Sequence, residues 1–172
     1  LGNGRSLRCW QIHRYKGGGK KIPIFEGETD CLRWLELFPK YPAVAVPNGA
    51  AGAARAVAKD IEFFESFQEV IICFDADDAG QKAALEVAAL FSPGKAKLML
   101  IPPPANDVCD AFAKGLHTEI VEAFWNAKSY RPDGIVAGDE LIEAILSTKE
   151  VPSVPYPWQG LNDKLHGLRQ GE

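Results

Sequence analysis

The amino-acid sequence predicts an α/β fold: a mostly parallel sheet of about four strands with helices on both faces, followed by a C-terminal linker helix. Two observations support this prediction. The run from Val70 to Phe74 is five consecutive apolar residues, which fits a strand covered on both faces better than a half-exposed, alternating one. Strand-like and helix-like segments also alternate along the chain, as in parallel sheets whose strands are joined by right-handed crossovers.

The composition is that of a globular domain. The 172 residues, 47% of them hydrophobic, suffice for one domain with a core and a small appendage. No apolar run is long enough to span a bilayer and no secretion signal begins the sequence, so we expect no membrane partner and a cytoplasmic location. The cysteines lack any Cys-x-x-Cys pair, which predicts reduced, buried residues and argues against a zinc site: they are Cys9, Cys31, Cys73 and Cys109.

Charge is distributed unevenly although the net charge is only -4. No acidic residue precedes Glu26, whereas residues 1–19 and the two lysines after them are rich in basic and aromatic side chains. Such a segment can follow a phosphate backbone while its aromatic rings stack on bases, and a solvated N-terminal arm is the alternative. The candidate nucleic-acid contacts are Arg8, Arg14, Lys20 and Lys21.

The first elements flank a triple glycine. We expect a short strand from Leu7 to Ile12, a hinge or turn at Gly17–Gly19, and a strand from Lys21 to Phe25. Pro23 favours an edge or strand-start position for that strand. Glu26 follows directly, so an acidic residue stands at the end of an apolar strand.

The next segments repeat the strand and helix alternation. A helix from Thr29 to Phe38 is followed by a strand from Ala43 to Val46 and by Asn48-Gly49. Because the segment after this turn is helical, we expect the turn to expose backbone N–H groups beside the acidic site rather than to close a hairpin. The predicted buried faces of the two helices are Leu32, Leu35 and Phe38, and then Ala54, Val57, Ile61 and Phe64.

The remaining elements follow the strand that begins at Val70. A helix is predicted from Ala79 to about Phe91, a strand from Lys97 to Ile101, and helical segments through Phe112 and from Thr118 to Ala127. The amphipathic linker helix runs from Asp139 to about Ser147, with an apolar stripe, and the Pro- and Gly-rich tail after it is predicted as a linker. The predicted domains are therefore residues 1–19, 20–128 and 129–172.

Asp75 and Asp77 stand at the end of the Val70–Phe74 strand, where parallel sheets collect ligands. Two residues apart, they point the same way if the strand geometry persists, and their mutual repulsion is relieved by a hard divalent cation such as Mg²⁺. Asp107, after the strand that ends at Ile101, is a third acidic corner.

Three alternatives compete for these acids. In a Ca²⁺ loop, Asp75, Asp77, Gly80 and Glu86 would fall at loop positions one, three, six and twelve, but Ala79 occupies position five and the segment before the loop resembles a strand. A phosphatase-type nucleophilic aspartate is the second alternative. The third is a helix cap, for which we predict Asp78; a cap explains one acid and leaves the other two without a role.

Three motifs together resemble a known family. Glu26-Gly27-Glu28-Thr29-Asp30, Pro47-Asn48-Gly49-Ala50 and Phe74-Asp75-Ala76-Asp77-Asp78-Ala79-Gly80 are similar, in order and spacing, to the Toprim domain, a Rossmann-like fold. The likeness is greatest to Twinkle-like, phage-type bifunctional primase-helicases and covers about Lys20 to Ala127. The tail from Tyr156 to Asp163 resembles the lead into that family's helicase domain.

The resemblance implies a DNA primase. Glu26, Asp75 and Asp77 would be the catalytic residues and would hold Mg²⁺ or Mn²⁺, with Asp107 as a further ligand, while ribonucleoside triphosphates are joined into a short RNA primer on single-stranded DNA. Asp30, Asn48, Gly49 and Lys82 would have secondary roles, Asp30 around the metal and Lys82 near a phosphate.

The resemblance also implies what accompanies the domain in the cell. The sequence departs from the family pattern in two places. A helicase domain in cis, an oligomer formed through the linker helix, and a bacterial or phage-infected cell are expected. Pro103-Pro104 stand where the family usually has Lys-Asp, and no cysteine pairs are present to build the zinc module of phage primases. A non-catalytic scaffold that binds DNA beside a replicative helicase, and a Toprim nuclease, therefore remain alternatives.

Overall fold

A computed structural model describes residues 8–132, 138, 141–142, 146, 153–165 and 167–168. The chain divides into two compact units, residues 1–133 and 134–172. The first unit contains a five-stranded sheet in the order β2-β1-β3-β4-β5. Its strands are β1 (Gly19–Phe25), β2 (Val44–Ala45), β3 (Phe67–Cys73), β4 (Ala96–Leu98) and β5 (Lys128–Ser129).

Four of the strands run parallel. The central pair is β1 and β3, in a register that sets Ile22 beside Val70 and Phe25 beside Cys73. Strand β2 adds to β1 and β4 adds to β3, both parallel, whereas β5 pairs with β4 in the antiparallel direction. The predicted mostly parallel sheet is confirmed. It has five strands rather than about four because β5, which spans the predicted domain limit at 128/129, is too short to show an apolar pattern.

Helices cover both faces of the sheet. They are α1 (Glu28–Leu37), α2 (Ala53–Lys59), α3 (Ile61–Glu65), α4 (Asp78–Ala88), α5 (Val108–Ala113) and α6 (His117–Trp125). Val70 and Ile72 pack into one buried cluster, with residues of α2, α3 and α4, while Ile71 and Cys73 pack into the other, with residues of α1, α5 and α6. This alternation follows from the two-residue period of a strand and explains the continuous apolar run.

The predicted strand from Leu7 to Ile12 is wrong in its described part. Trp10 forms only an isolated antiparallel bridge to Ala45, and Ile12–Arg14 is a short 3-10 turn. Strand β1 is an inner strand rather than an edge. Pro23 is tolerated there because β2 pairs only with the two residues that follow it, Ile24 and Phe25.

Two predicted helix faces also need correction. In α1, Cys31 and Trp34 are buried, whereas Leu32 is 49% exposed, because the helix meets the sheet one position earlier than the leucine spacing suggests. The helix predicted through Ala54 and Phe64 is divided into α2 and α3 at Asp60. The buried carboxylate of Asp60 accepts hydrogen bonds from the Arg8 side chain and the Cys9 backbone.

The second unit contains a further helix, α7 (Gln159–Leu165), within the segment predicted as a linker. Val154 and Leu168 form an antiparallel bridge, and the side chain of Asn162 accepts from the Tyr156 N–H and donates to the Tyr156 carbonyl. Of the linker helix predicted from Asp139 to Ser147, the described residues are helical, and the rest lies outside the described part. Within the described residues, no helix is long and apolar enough to cross a membrane.

Candidate active site

Glu26 is fixed at the carboxyl end of β1 by two backbone N–H groups. Its Oε1 accepts a 3.1 Å hydrogen bond from Ala50, and its Oε2 accepts a 3.4 Å hydrogen bond from Asp75. The Ala50 N–H follows a turn in which Asn48 and Gly49 both have positive φ. The Asn48-Gly49 turn was predicted to present backbone N–H groups to the acidic site, and this is confirmed. The donor is the Ala50 N–H, and its acceptor is the Glu26 carboxylate.

Asp75 follows β3 and is half-buried beside Glu26. The pKa of the Asp75 carboxyl is raised to about 7, mainly by burial and then by the charges of Glu26, Asp30, Asp107 and Asp77, in that order. The Asp75 backbone carbonyl accepts a 2.8 Å hydrogen bond from the Gln81 side chain. Asp75 is thus the carboxyl group whose ionisation the other acids of the site oppose.

Gly80 permits the close approach of these two acids. A Cβ atom at this position would lie 2.6 Å from the Asp75 carbonyl oxygen and 2.9 Å from Oε2 of Glu26. Real side chains do not tolerate such contacts, so any larger residue would displace the loop or the Glu26 carboxylate. The glycine that closes the third motif is required by packing.

Asp77, and not Asp78, caps helix α4. Asp77 Oδ1 accepts a 2.7 Å hydrogen bond from the Gly80 N–H, while Asp78 is the first residue of the helix. Our prediction of Asp78 as the cap was therefore wrong by one position. Asp77 combines two properties, because one oxygen serves the helix and its charge still acts on Asp75.

Asp30, Asp107 and Cys109 form a second cluster, which we name the inner corner. The possible ligand atoms of these three residues all lie within 4.8 Å of one another. Asp30 is 8% exposed and its Oδ1 accepts a 2.9 Å hydrogen bond from the Cys109 N–H, while Asp107 caps α5 through the Asp110 N–H at 2.6 Å. Burial raises the pKa of the Asp30 carboxyl and of the Cys109 thiol.

The two acidic groups belong to one site. A cavity of about 450 Å³ is lined by Glu26, Asp30, Asn48, Gly49 and Asp75, together with neighbouring residues of the same loops. The Ala76 N–H also donates a 2.8 Å hydrogen bond to the carbonyl of Asn106, which joins the loop after β3 to the loop before α5. The carboxyl ends of three parallel strands thus supply a single acidic cavity.

The six carboxylates in or beside this cavity are those of Glu26, Glu28, Asp30, Asp75, Asp77 and Asp107. None of them forms an ion pair with any residue in the described part of the chain. Crowded carboxylate oxygens without a basic partner are the donor set that hard divalent cations prefer. The arrangement is therefore suited to neutralisation by a ligand of positive charge.

The predicted nucleic-acid contacts lie away from this cavity. Arg8 is paired with Asp60 at 2.5 Å, the Arg14 guanidinium donates to the Gln11 side chain, and Lys21 is paired with Glu69. Lys20 is exposed and makes no ion pair within the described residues. Lys82 is exposed on α4, also without a described ionic partner. Binding by these residues stays a prediction.

Sequence reasoning missed Cys109 as a member of the site. The prediction that all four cysteines are buried holds for Cys9, Cys31 and Cys73, but Cys109 is partly exposed. Its position two residues after Asp107, at the start of a helix, was the available signal. The contributions of Ala50, Gln81 and Asn106 come from backbone or amide groups, for which the sequence carries no distinctive pattern.

The chain is similar to a known protein family and to a phage protein. The Toprim-like family matches residues 23–112. The DNA helicase/primase of Enterobacteria phage T3 is 39% identical over 160 residues, which are 90% of this chain and 28% of that protein. The chain thus spans less than a third of the phage protein it matches.

Two solved structures share the fold. The primase fragment of the bacteriophage T7 primase-helicase is 36% identical, with a TM-score of 0.67 over 73% of this chain and 51% of that one. T7 primase domains solved with the lagging-strand DNA polymerase, an RNA/DNA hybrid and dTTP are also 36% identical, with a TM-score of 0.66 over 71% and 61% of the two chains.

Proposed function

Because this chain belongs to the Toprim-like family, we propose that it is the catalytic core of a phage-type DNA primase, which makes short RNA primers on single-stranded DNA. The observation that carries the proposal is the unpaired acidic cavity at the carboxyl end of the sheet, on a fold shared with the T7 primase fragment. The substrates would be ribonucleoside triphosphates, and a helicase domain in cis is proposed from the phage T3 relative. The proposed location is the cytoplasm of a bacterial or phage-infected cell.

Mg²⁺ or Mn²⁺ fits the residues of this cavity. Glu26 and Asp75 would hold the cation directly, with Asp77 offering the oxygen that the helix cap leaves free, and Asp107 contributing from the inner corner. The raised pKa of Asp75 supports this assignment, because a cation would relieve the repulsion that raises it. When bound, such a cation neutralises triphosphate charge and favours ionisation of an attacking hydroxyl.

The protein's own residues prepare this site in advance. Two backbone N–H groups hold the Glu26 carboxylate, so its direction does not depend on a ligand. The cap on α4 orients Asp77, and the Ala76–Asn106 hydrogen bond holds the two loops together. Acids already ordered before substrate arrives would hold a cation without reorganising, and this preorganisation is the main contribution we assign to the chain.

The altered third corner favours a second candidate function. Pro103 and Pro104 stand where the family usually has Lys-Asp. Asp107, three positions after Pro104, is the acid that lies with Asp30 and Cys109. If Asp107 does not replace the missing acid, the domain acts as a non-catalytic scaffold that binds DNA beside a helicase. The exposed apolar side chains of the linker helix are consistent with an oligomer contact in either case: Leu141 (52%), Ile142 (59%) and Leu146 (81%).

Template-directed incorporation of labelled ribonucleotides tests the proposal. We expect short RNA products on single-stranded DNA with Mg²⁺ or Mn²⁺, and a loss of roughly a hundredfold or more in Asp75→Asn. Asp163→Asn, which changes an exposed acid of the second unit, is the matched control. Metal binding without any product would support the scaffold, whereas metal-dependent cleavage of the DNA strand would support a Toprim nuclease.

A further inference from the structure

A second cavity lies at the end of the sheet opposite to the acids. It has a volume of about 440 Å³ and opens around Gly19 and Phe67, which pair where β1 and β3 begin. The acidic cavity is lined instead by Glu26, which follows the last residue of β1, and by the loops after β2 and β3. The acidic site and this cavity therefore do not share residues.

Six of the thirteen residues that line this cavity are aromatic. The Trp34 ring centroid lies 4.6 Å from that of Phe38 and 4.5 Å from that of Phe124. This row ends at two exposed rings: Trp125 beside Phe124 at 5.3 Å and Tyr41 beside Phe38 at 5.8 Å. Trp125 is 50% exposed and Tyr41 is 53% exposed. Two exposed rings supported from behind by buried rings are suited to stacking on planar ligands.

The charge around the rings is positive. Lys20, Lys21 and Lys40 line the cavity, and no acidic residue is among its lining residues. Lys21 is paired with Glu69 and lies 5.4 Å from the Trp125 ring centroid, so it orients that ring. Lys20 and Lys40 have no ionic partner in the described parts of the chain. A chain with a net charge of -4 thus presents a local basic patch beside exposed aromatic rings.

One buried donor in the wall is also unsatisfied. Trp34 is 2% exposed, and its Nε1 has no hydrogen-bond partner within the described residues. It is the one buried side-chain nitrogen or oxygen in the described part with this property. Unpaired buried donors are rare because they cost free energy.

We infer that this lysine–aromatic cavity binds single-stranded nucleic acid, with bases stacked on Trp125 and Tyr41 and phosphates near Lys20 and Lys40. Both halves of the surface are required by this ligand: rings for the bases and lysines for the phosphodiester backbone. A cationic ligand is disfavoured by the lysines, and inorganic phosphate alone would leave the rings unused. Binding here needs no metal, so the inference does not depend on primer synthesis.

The test is fluorescence anisotropy of a labelled oligothymidylate of about twelve nucleotides, titrated with the whole chain in EDTA, so that a metal site does not contribute. We expect Trp125→Ala with Tyr41→Ala to weaken binding by about tenfold or more. Trp125→Phe should retain most of the affinity, since it keeps a ring for stacking. Trp158→Ala, an exposed tryptophan of the second unit, is the control.

The lysines are tested by salt dependence. Lys20→Gln with Lys40→Gln should lower the slope of log Kd against log salt by about 1.4, or ~0.7 for each lost phosphate contact. Lys164→Gln is the matched control on α7, and unchanged thermal unfolding confirms that the variants fold.

Three results would overturn the inference. One is wild-type binding weaker than ~100 μM at low salt, which is at the weak end of nonspecific nucleic-acid binding. Another is unchanged affinity in both double variants. The third is competition by ATP as strong as that by the oligonucleotide, which would indicate a mononucleotide site. If Asp75→Asn loses primer synthesis but still binds the oligonucleotide in EDTA, the lysine–aromatic cavity binds nucleic acid independently of the proposed catalytic site.

Discussion

The backbone N–H of Asp75 donates a 3.4 Å hydrogen bond to Oε2 of Glu26, across two neighbouring parallel strands. The Glu26 carboxylate is thereby held against the main chain of Asp75, the acid that follows the neighbouring apolar run. This contact gives the acidic cavity a fixed centre, on which the following predictions depend.

Gly80→Ala should destabilise the protein by about 1–3 kcal/mol, the usual cost of overpacking a tight contact. The added methyl group would meet the Asp75 carbonyl oxygen and the Glu26 carboxylate. Urea unfolding measures the change. Gly160→Ala is the control, because a Cβ atom at that helical position meets nothing within 4 Å. Equal stability of the Gly80 variant and the wild type would contradict the packing argument.

Asp77 should have separable structural and ionic roles. Asp77→Ala removes the cap on α4 and should cost about 1 kcal/mol, whereas Asp77→Ser keeps a capping oxygen and should cost a few tenths, or ~0.3 kcal/mol. Both variants lose the charge and should bind Mn²⁺ more weakly in calorimetric titrations. Asp78→Ala, at a first-turn position, should cost only about 0.5 kcal/mol. If Asp78→Ala lost more stability than Asp77→Ala, Asp78 and not Asp77 would be the helix cap.

Affinity for Mn²⁺ should rise with pH through neutrality. The pKa of Asp75 is about 7 in the metal-free protein, so a proton must leave before the cation binds. For one such proton, binding should be about tenfold tighter at about pH 8 than at about pH 6. Asp75→Asn should bind more weakly and lose most of this dependence. A wild-type affinity that does not change over this range would show that Asp75 is not a ligand.

The same group predicts how stability depends on pH without metal. The folded-state pKa of Asp75 is raised from 3.8 to about 7, so the unfolded chain releases this proton first as pH rises. The contribution of Asp75 to stability is therefore greatest below about pH 4 and is lost as pH rises towards about 7. In EDTA, Asp75→Asn should gain stability relative to the wild type across that window, measured by urea midpoints. A constant difference between the two proteins would contradict this assignment.

The sheet and the centre of the site were predictable because they follow from local patterns. Apolar runs that end in an acid identified the strands before Glu26 and Asp75, and parallel strands bring their carboxyl ends together. The helix cap was misplaced because Asp77 and Asp78 are both good capping residues, and only the loop geometry decides between them. The burial of Trp34 instead of Leu32 depends on how α1 lies on the sheet, which residue spacing alone does not determine.

The inner corner was the least predictable part because it is made by long-range contacts. Cys109 lies 79 positions after Asp30, and neither residue has a local pattern that names its partner. The lysine–aromatic cavity has the same origin, since its rings come from α1, from α6 and from the segment that follows α1. Patterns within one element predict that the element forms, but not which distant side chains it meets.

The hydrogen bond from the Cys109 N–H to Asp30 joins the first turns of α1 and α5, two helices far apart in the sequence. The amide hydrogen of Cys109 is therefore protected only while these two helices stay packed together. Its exchange with deuterated solvent would report how often α1 and α5 separate, and hence how often the acidic cavity ceases to exist.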